Sequence, residues 1–154
     1  MSYAFLKFIH VVSSTVLFGT GIGSAYYLLR AALDGRAEVV ARVARWVVVA
    51  DWLFTATTIV LQPLTGWYLA RMAHFPLQQT WLAWSIGLYA IALACWLPVV
   101  WLQMRMHALA RAAAESQAPL SGQFQRCFVA WFVLGVPAFF AFLGVFYLMV
   151  AKPA

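Results

Sequence analysis

Charge is the scarcest commodity in this chain. Of 154 residues only four are acidic (Asp34, Glu38, Asp51 and Glu115), and charged residues make up 9% of the total against 66% hydrophobic. A soluble domain carries about 25% charged residues, so this chain has too little polarity to cover a water-facing surface and reads as an integral membrane protein. The shortage of carboxylates excludes paired-acid hydrolysis, and no serine–histidine–acid arrangement forms, because Asp51 and His10 are expected at opposite depths. There are two cysteines, Cys95 and Cys127, each inside or at the edge of an apolar block. That is neither a disulfide framework nor a metal-binding spacing, and both read as small buried hydrophobes. No low-complexity segment or internal repeat is present. The net charge of +6 comes from basic residues scattered between apolar blocks, which make no continuous basic face for nucleic acid.

What is abundant is uninterrupted apolar sequence. Charges bracket four blocks, with spans at about 8–29, 46–70, 81–104 and 127–150, each near the roughly 20 residues that a helix needs to cross the hydrocarbon. The expected fold is all-α: one transmembrane domain over 1–154, an antiparallel four-helix bundle. The small residues Gly23, Ser24 and Ala25 after the first block faintly resemble a signal-peptide cleavage site, but that block is long enough to span and is read as a helix. Arg30, Arg36, Arg42 and Arg45 crowd one connection, and Arg105, Arg111 and Arg126 another. The positive-inside rule places both connections in the cytoplasm and both termini on the non-cytoplasmic side. For a bacterium this means the inner membrane. Asp34-Gly35 is a turn signal, and Val39, Val40, Val43, Trp46 and Val47 recur at helical spacing, so span 2 is expected to begin before the membrane. Span 3 is expected to continue past His107, Leu109 and Ala112. Ser121 is placed to cap span 4.

Residues 18–24, Phe-Gly-Thr-Gly-Ile-Gly-Ser, are the densest glycine run. They do not form a dinucleotide loop, because Ser24 stands where the third glycine belongs and no strand precedes it. In a membrane helix, Gly19 and Gly23 have the small-xxx-small spacing that lets backbones approach closely, within the bundle or in a dimer. Gly21 lies about three turns above His10 on the same line, where it either packs or makes room for a bound group.

Span 2 carries Asp51, Thr55, Thr58, Gln62 and Thr65 at steps of four and three. At 100° per residue all five fall on one stripe, about 21 Å long. Facing lipid it would be costly, so it is expected to face the bundle interior or a wet cavity. Asp51 then either pairs with an arginine near the basic side, or heads a proton path or a polar-headed ligand site. Pro63 beside Gln62 frees a carbonyl and is expected to kink the helix. Ser85, Tyr89, Trp96 and Gln103 line one face of span 3 as a partner for the stripe. Trp67, Trp81 and Trp84 are expected near one interface, Trp46 and Trp101 near the other, with Trp52, Trp96 and Trp131 deeper.

His10 and His74 share a depth near the non-basic side, whereas His107 lies at the basic end. Two imidazoles on one side of a bundle are candidate axial ligands for haem iron, with Met72 or Met149 as substitutes for His74. The bland alternative is a histidine bonded to a carbonyl and another that is merely solvated. No other metal site is indicated.

Leu6-Lys7-Phe8-Ile9-His10-Val11, Leu17 to Gly21, Ala50 to Thr55, Pro63, Thr65-Gly66, Leu97-Pro98, Met104, Met106 and Leu109-Ala110 together give a pattern covering nearly the whole chain. It resembles a family of small, four-helix predicted integral membrane proteins of unknown function (DUF2269-like). The opening Lys7-Phe8-Ile9-His10 also resembles the start of the haem-binding protoporphyrinogen oxidases and of the copper-resistance membrane proteins. That second resemblance implies a haem-ligand role for His10 and nothing for the later spans. The function expected on these grounds is a membrane protein binding haem b in a redox or porphyrin-handling role. The alternatives are a small transporter or proton-conducting protein using the Asp51 stripe, and a non-catalytic subunit or assembly factor. Expected partners are the lipid bilayer, a second copy or another membrane protein, and no nucleic acid. Whether the protein is an enzyme stays open at this level.

Overall fold

The structure, a computed structural model, describes residues 2–153. Four helices account for nearly all of them: α1, Tyr3–Asp34; α2, Ala37–Met72; α3, Thr80–Glu115; and α4, Gly122–Ala151. All four are long and apolar enough to cross a membrane. At about 1.5 Å per residue even α4 runs about 45 Å, against about 30 Å of hydrocarbon. The helices therefore overrun the expected spans, chiefly at the basic end, where α2 starts at Ala37 and α3 stops only at Glu115.

Local sequence explains the ends. The Ser2 hydroxyl accepts the Phe5 N–H and the Ser121 hydroxyl accepts the Phe124 N–H, each at 3.3 Å, so a serine caps both α1 and α4. Gly35 ends α1 in the left-handed region, φ 77°, which a glycine occupies without strain. Arg36 pairs with Asp34 and Arg111 with Glu115, but both pairs are exposed and contribute little.

Two packed zones hold the bundle. The larger, at the basic end, joins Leu28 and Ala31 of α1, Val40, Ala44 and Val47 of α2, Val99, Leu102, Met106 and Ala110 of α3, and Phe124 and Trp131 of α4. The smaller, near the other end, is built on Ala70, Trp81 and Leu82. Side chains from neighbouring helices are seated directly on two glycines. A Cβ on Gly144 would meet Leu88 Cδ1 at 2.8 Å, and one on Gly66 would meet His10 Cε1 at 3.3 Å. Gly19 and Gly23 behave otherwise. A Cβ on either meets nothing within 4 Å, so the small-xxx-small pair makes no close helix contact inside the bundle, and only the dimer alternative is left to it. Five tryptophans (Trp46, Trp52, Trp67, Trp84 and Trp101) are exposed on the apolar outer surface, whereas Trp81 and Trp131 are buried.

The helices do not all pack equally. Helix α4 lies against α3, and α1 lies against α2, but α1 and α4 make little backbone contact. Side chains bridge them instead, with Phe18 stacked on Phe139 at 5.7 Å and edge-on to Phe146 at 5.1 Å. A seam is thus left between α1 and α4.

Pro63 sits inside α2 and cannot donate to the carbonyl four residues back, that of Ile59. The Tyr89 hydroxyl of α3 donates to that oxygen, so a bond lost within one helix is remade between two. Tyr89→Phe is expected to lower stability by about 1 kcal/mol. The loss should shrink by half or more in a Pro63→Ala background, where residue 63 can serve the Ile59 carbonyl itself. Equilibrium unfolding of the four proteins in mixed micelles measures this cycle.

Candidate functional site

Asp51 opens a π turn, Asp51–Thr55, in which the Ala56 N–H reaches back five residues to the Asp51 carbonyl. Such single-turn insertions concentrate at functional sites. The hydroxyls of Thr57 and Thr58 donate to the Leu53 and Phe54 carbonyls at 2.7 and 2.6 Å, supporting the turn where the ladder changes register. The turn also delays the helical phase, so the stripe does not run as the single line that uniform 100° steps predict. All five stripe residues are buried, but the two halves of the stripe face different neighbours.

The outer half faces α1. Gln62 Nε2 donates to the Ser13 hydroxyl and to the His10 carbonyl, the latter at 3.0 Å. Thr65 Oγ1 lies 2.7 Å from His10 Nδ1 and spends its own proton on the Leu61 carbonyl, also at 2.7 Å. The imidazole must therefore be the donor, which assigns the proton to Nδ1. This cluster of Ser13, His10, Gln62 and Thr65, with Gly66 beneath the ring, clamps α1 to α2.

The inner half faces a cavity of about 480 Å³ whose lining includes Leu17, Gly21 and Ser24 of α1, Asp51, Thr55 and Ile59 of α2, Trp96, Val99 and Gln103 of α3, and Trp131, Gly135 and Phe139 of α4. One Asp51 oxygen accepts the Thr55 hydroxyl at 2.9 Å. The Gln103 amide approaches the same carboxyl without full hydrogen-bond geometry. No arginine reaches Asp51: among the described residues the ion pairs are Arg36–Asp34 and Arg111–Glu115. The structural ion-pair reading of Asp51 is thereby set aside. Two further buried polar atoms lack any partner, Gln103 Oε1 and Trp96 Nε1, and both residues line this cavity.

Gly21 makes room as its position allows, but for the Asp51 cavity rather than beside His10. The α4 wall had no sequence signal, because a cavity-facing phenylalanine and a lipid-facing one look alike in a uniformly apolar helix. Cys95 and Cys127 are free and half-buried.

The haem expectation fares differently. His74 is exposed in the turn after α2, at φ 55°, eight residues beyond Gly66, against which the His10 ring lies. The stretch from Gly66 to the end of α2 at Met72 already rises about 9 Å. His10 is held by Thr65, and neither histidine lines the cavity. Met72 is exposed, and Met149 packs near the Trp81 cluster. Neither the two histidines nor the two methionines line the Asp51 cavity. Nor does any group of three or more histidine, cysteine or acidic side chains among the described residues form a metal site.

Fold and site together define a four-helix integral membrane protein with a polar-headed cavity inside the bilayer. A family model described as predicted integral membrane protein (DUF2269) matches residues 4–153, and the chain belongs to that family. No curated protein and no solved structure matches it.

The clamp generates a direct test. Thr65→Val keeps the side-chain shape but removes the acceptor of the His10 N–H, and is expected to cost about 1–2 kcal/mol. His10→Leu combined with Thr65→Val should cost less than the sum of the two, since the double variant leaves no orphaned donor. Unfolding in mixed micelles reads both.

Proposed function

We propose that this protein binds a small amphipathic molecule inside the membrane and carries or presents it, with Asp51 holding the polar head. The observation that carries the reading is the unpaired Asp51 carboxyl heading a largely apolar cavity. Nothing in the bundle supplies this carboxyl with a cation, and a donor or cationic head brought in by a ligand would do so. The mouth is lateral: Ile22 and Tyr26 of α1 and Phe132 and Phe140 of α4 line the cavity and are also exposed along the α1–α4 seam. A molecule dissolved in the bilayer can enter there without crossing water. With the basic end inside, as the positive-inside rule expects, the polar head lies in the cytoplasmic half of the membrane.

A proton path along the whole stripe is the weaker form of this reading. The Thr58 and Thr65 hydroxyls donate to their own backbone, and Gln62 is committed to Ser13 and His10. Haem redox chemistry is weaker again. What favours it is that the Thr65 bond leaves His10 Nε2 as a lone pair, the form that an axial ligand needs. A dithionite-reduced minus oxidised spectrum with Soret and α bands, lost in His10→Ala, would put haem first.

The decisive experiment is native mass spectrometry of the protein released from its own membranes in mild detergent. The expected result is one small-molecule adduct on the wild type. Gly135→Leu should lose it, because a Cβ on Gly135 meets nothing within 4 Å and a larger side chain grows into the cavity. Asp51→Asn should retain at most a tenth of it. An adduct equally abundant on all three proteins would place the ligand elsewhere.

A further inference from the structure

We infer, building on the cavity reading above, that the ligand is a protonated amine with an apolar body, its ammonium group seated on Asp51 with the Gln103 amide turned so that Oε1 accepts a second N–H. Both groups are acceptors. The carboxyl accepts from Thr55, is approached by the Gln103 amide and has no cation, and Gln103 Oε1 is buried with no donor. Gln103 and Asp51 are each 3% exposed, so neither stands open to bulk water, and an incoming head meets them from the cavity side. An ammonium group is donor-only, with up to three N–H bonds to give. A phosphate or carboxylate head would set acceptor against acceptor, whereas an ammonium both donates to the carboxyl and holds it ionised.

The walls agree with the head. Phe18, Trp96, Trp131, Phe139 and Phe142 present aromatic rings to the cavity, and ring faces attract organic cations, most strongly where water is excluded. Neither lysine nor arginine lines the space, so nothing repels a positive charge. Trp96 stands two helical turns from Gln103, about 10 Å of rise, with its indole N–H unpaired. That donor suits an acceptor oxygen on the body of the ligand, beyond the ammonium.

The test holds shape constant and varies charge. Protein in lipid nanodiscs is dialysed against radiolabelled 4-phenylbutylamine or its uncharged counterpart, 4-phenylbutan-1-ol, at neutral pH, with empty nanodiscs subtracted for lipid partition. The wild type is expected to bind the amine at least tenfold more tightly than the alcohol. Asp51→Asn should bring the ratio below two, and Gly135→Leu should abolish binding of both. Gln103→Leu removes the free acceptor and should lower the ratio at least threefold, which keeps the question answerable if Asp51→Asn folds poorly. Equal affinity for amine and alcohol, both lost in Gly135→Leu, would overturn the amine while leaving the cavity as a binding site. No binding of either probe above empty nanodiscs would overturn both readings.

Discussion

Inside a bilayer no water completes a hydrogen bond, so each polar group carried into the hydrocarbon must find its partner within the bundle. That constraint arranges this protein. The Ile59 carbonyl, freed by Pro63, is met by Tyr89 of α3, and the His10 N–H of α1 is met by Thr65 of α2. Gln62 joins Ser13 and the His10 carbonyl. Most of the remaining hydroxyls turn back on their own helices, as Ser14, Thr15, Thr57 and Ser85 do. Polar bonds thus fasten α1 to α2 and α2 to α3, while α3 and α4 join by shape, Leu88 lying against Gly144. The α1–α4 seam has neither device along its length beyond the Phe18 stack, and it is where the bundle opens.

The buried side chains that escape the constraint, among the described residues, fall together. Asp51 has no cation, Gln103 Oε1 has no donor and Trp96 Nε1 has no acceptor, yet all three belong to one cavity. Unmet groups scattered through a core would read as local defects. Gathered around one space large enough for a small molecule, they specify the chemistry of what fills it. Among the described residues no other buried side-chain nitrogen or oxygen lacks a partner, which makes this concentration informative.

Much of the frame was legible in the sequence because charges are so few that each one marks a boundary. The stripe was legible too, since five polar residues at helical spacing have no other reason to persist in an apolar helix. The split of the stripe was not. It depends on the π turn at Asp51–Thr55, and nothing in Asp-Trp-Leu-Phe-Thr distinguishes a π turn from an ordinary one. Glycine spacing misled in a related way. Gly19 and Gly23 have the familiar pattern but no neighbour, whereas Gly66 and Gly144 stand alone in sequence and take the close contacts. Spacing reports which face a residue shares, and only the packed partner decides whether that face is approached.

The π turn also explains how one helix serves two purposes. In an uninterrupted α-helix Asp51 would share the line of Gln62 and Thr65 and point at α1 as they do. The inserted residue swings the inner half of the stripe away from that clamp, toward Gln103 and the cavity. The outer half can then be fixed rigidly by α1 while the inner half keeps its carboxyl uncommitted. A binding group that must stay unpaired until its ligand arrives needs a firm support next to it, and a change of helical phase supplies both within fifteen residues of chain.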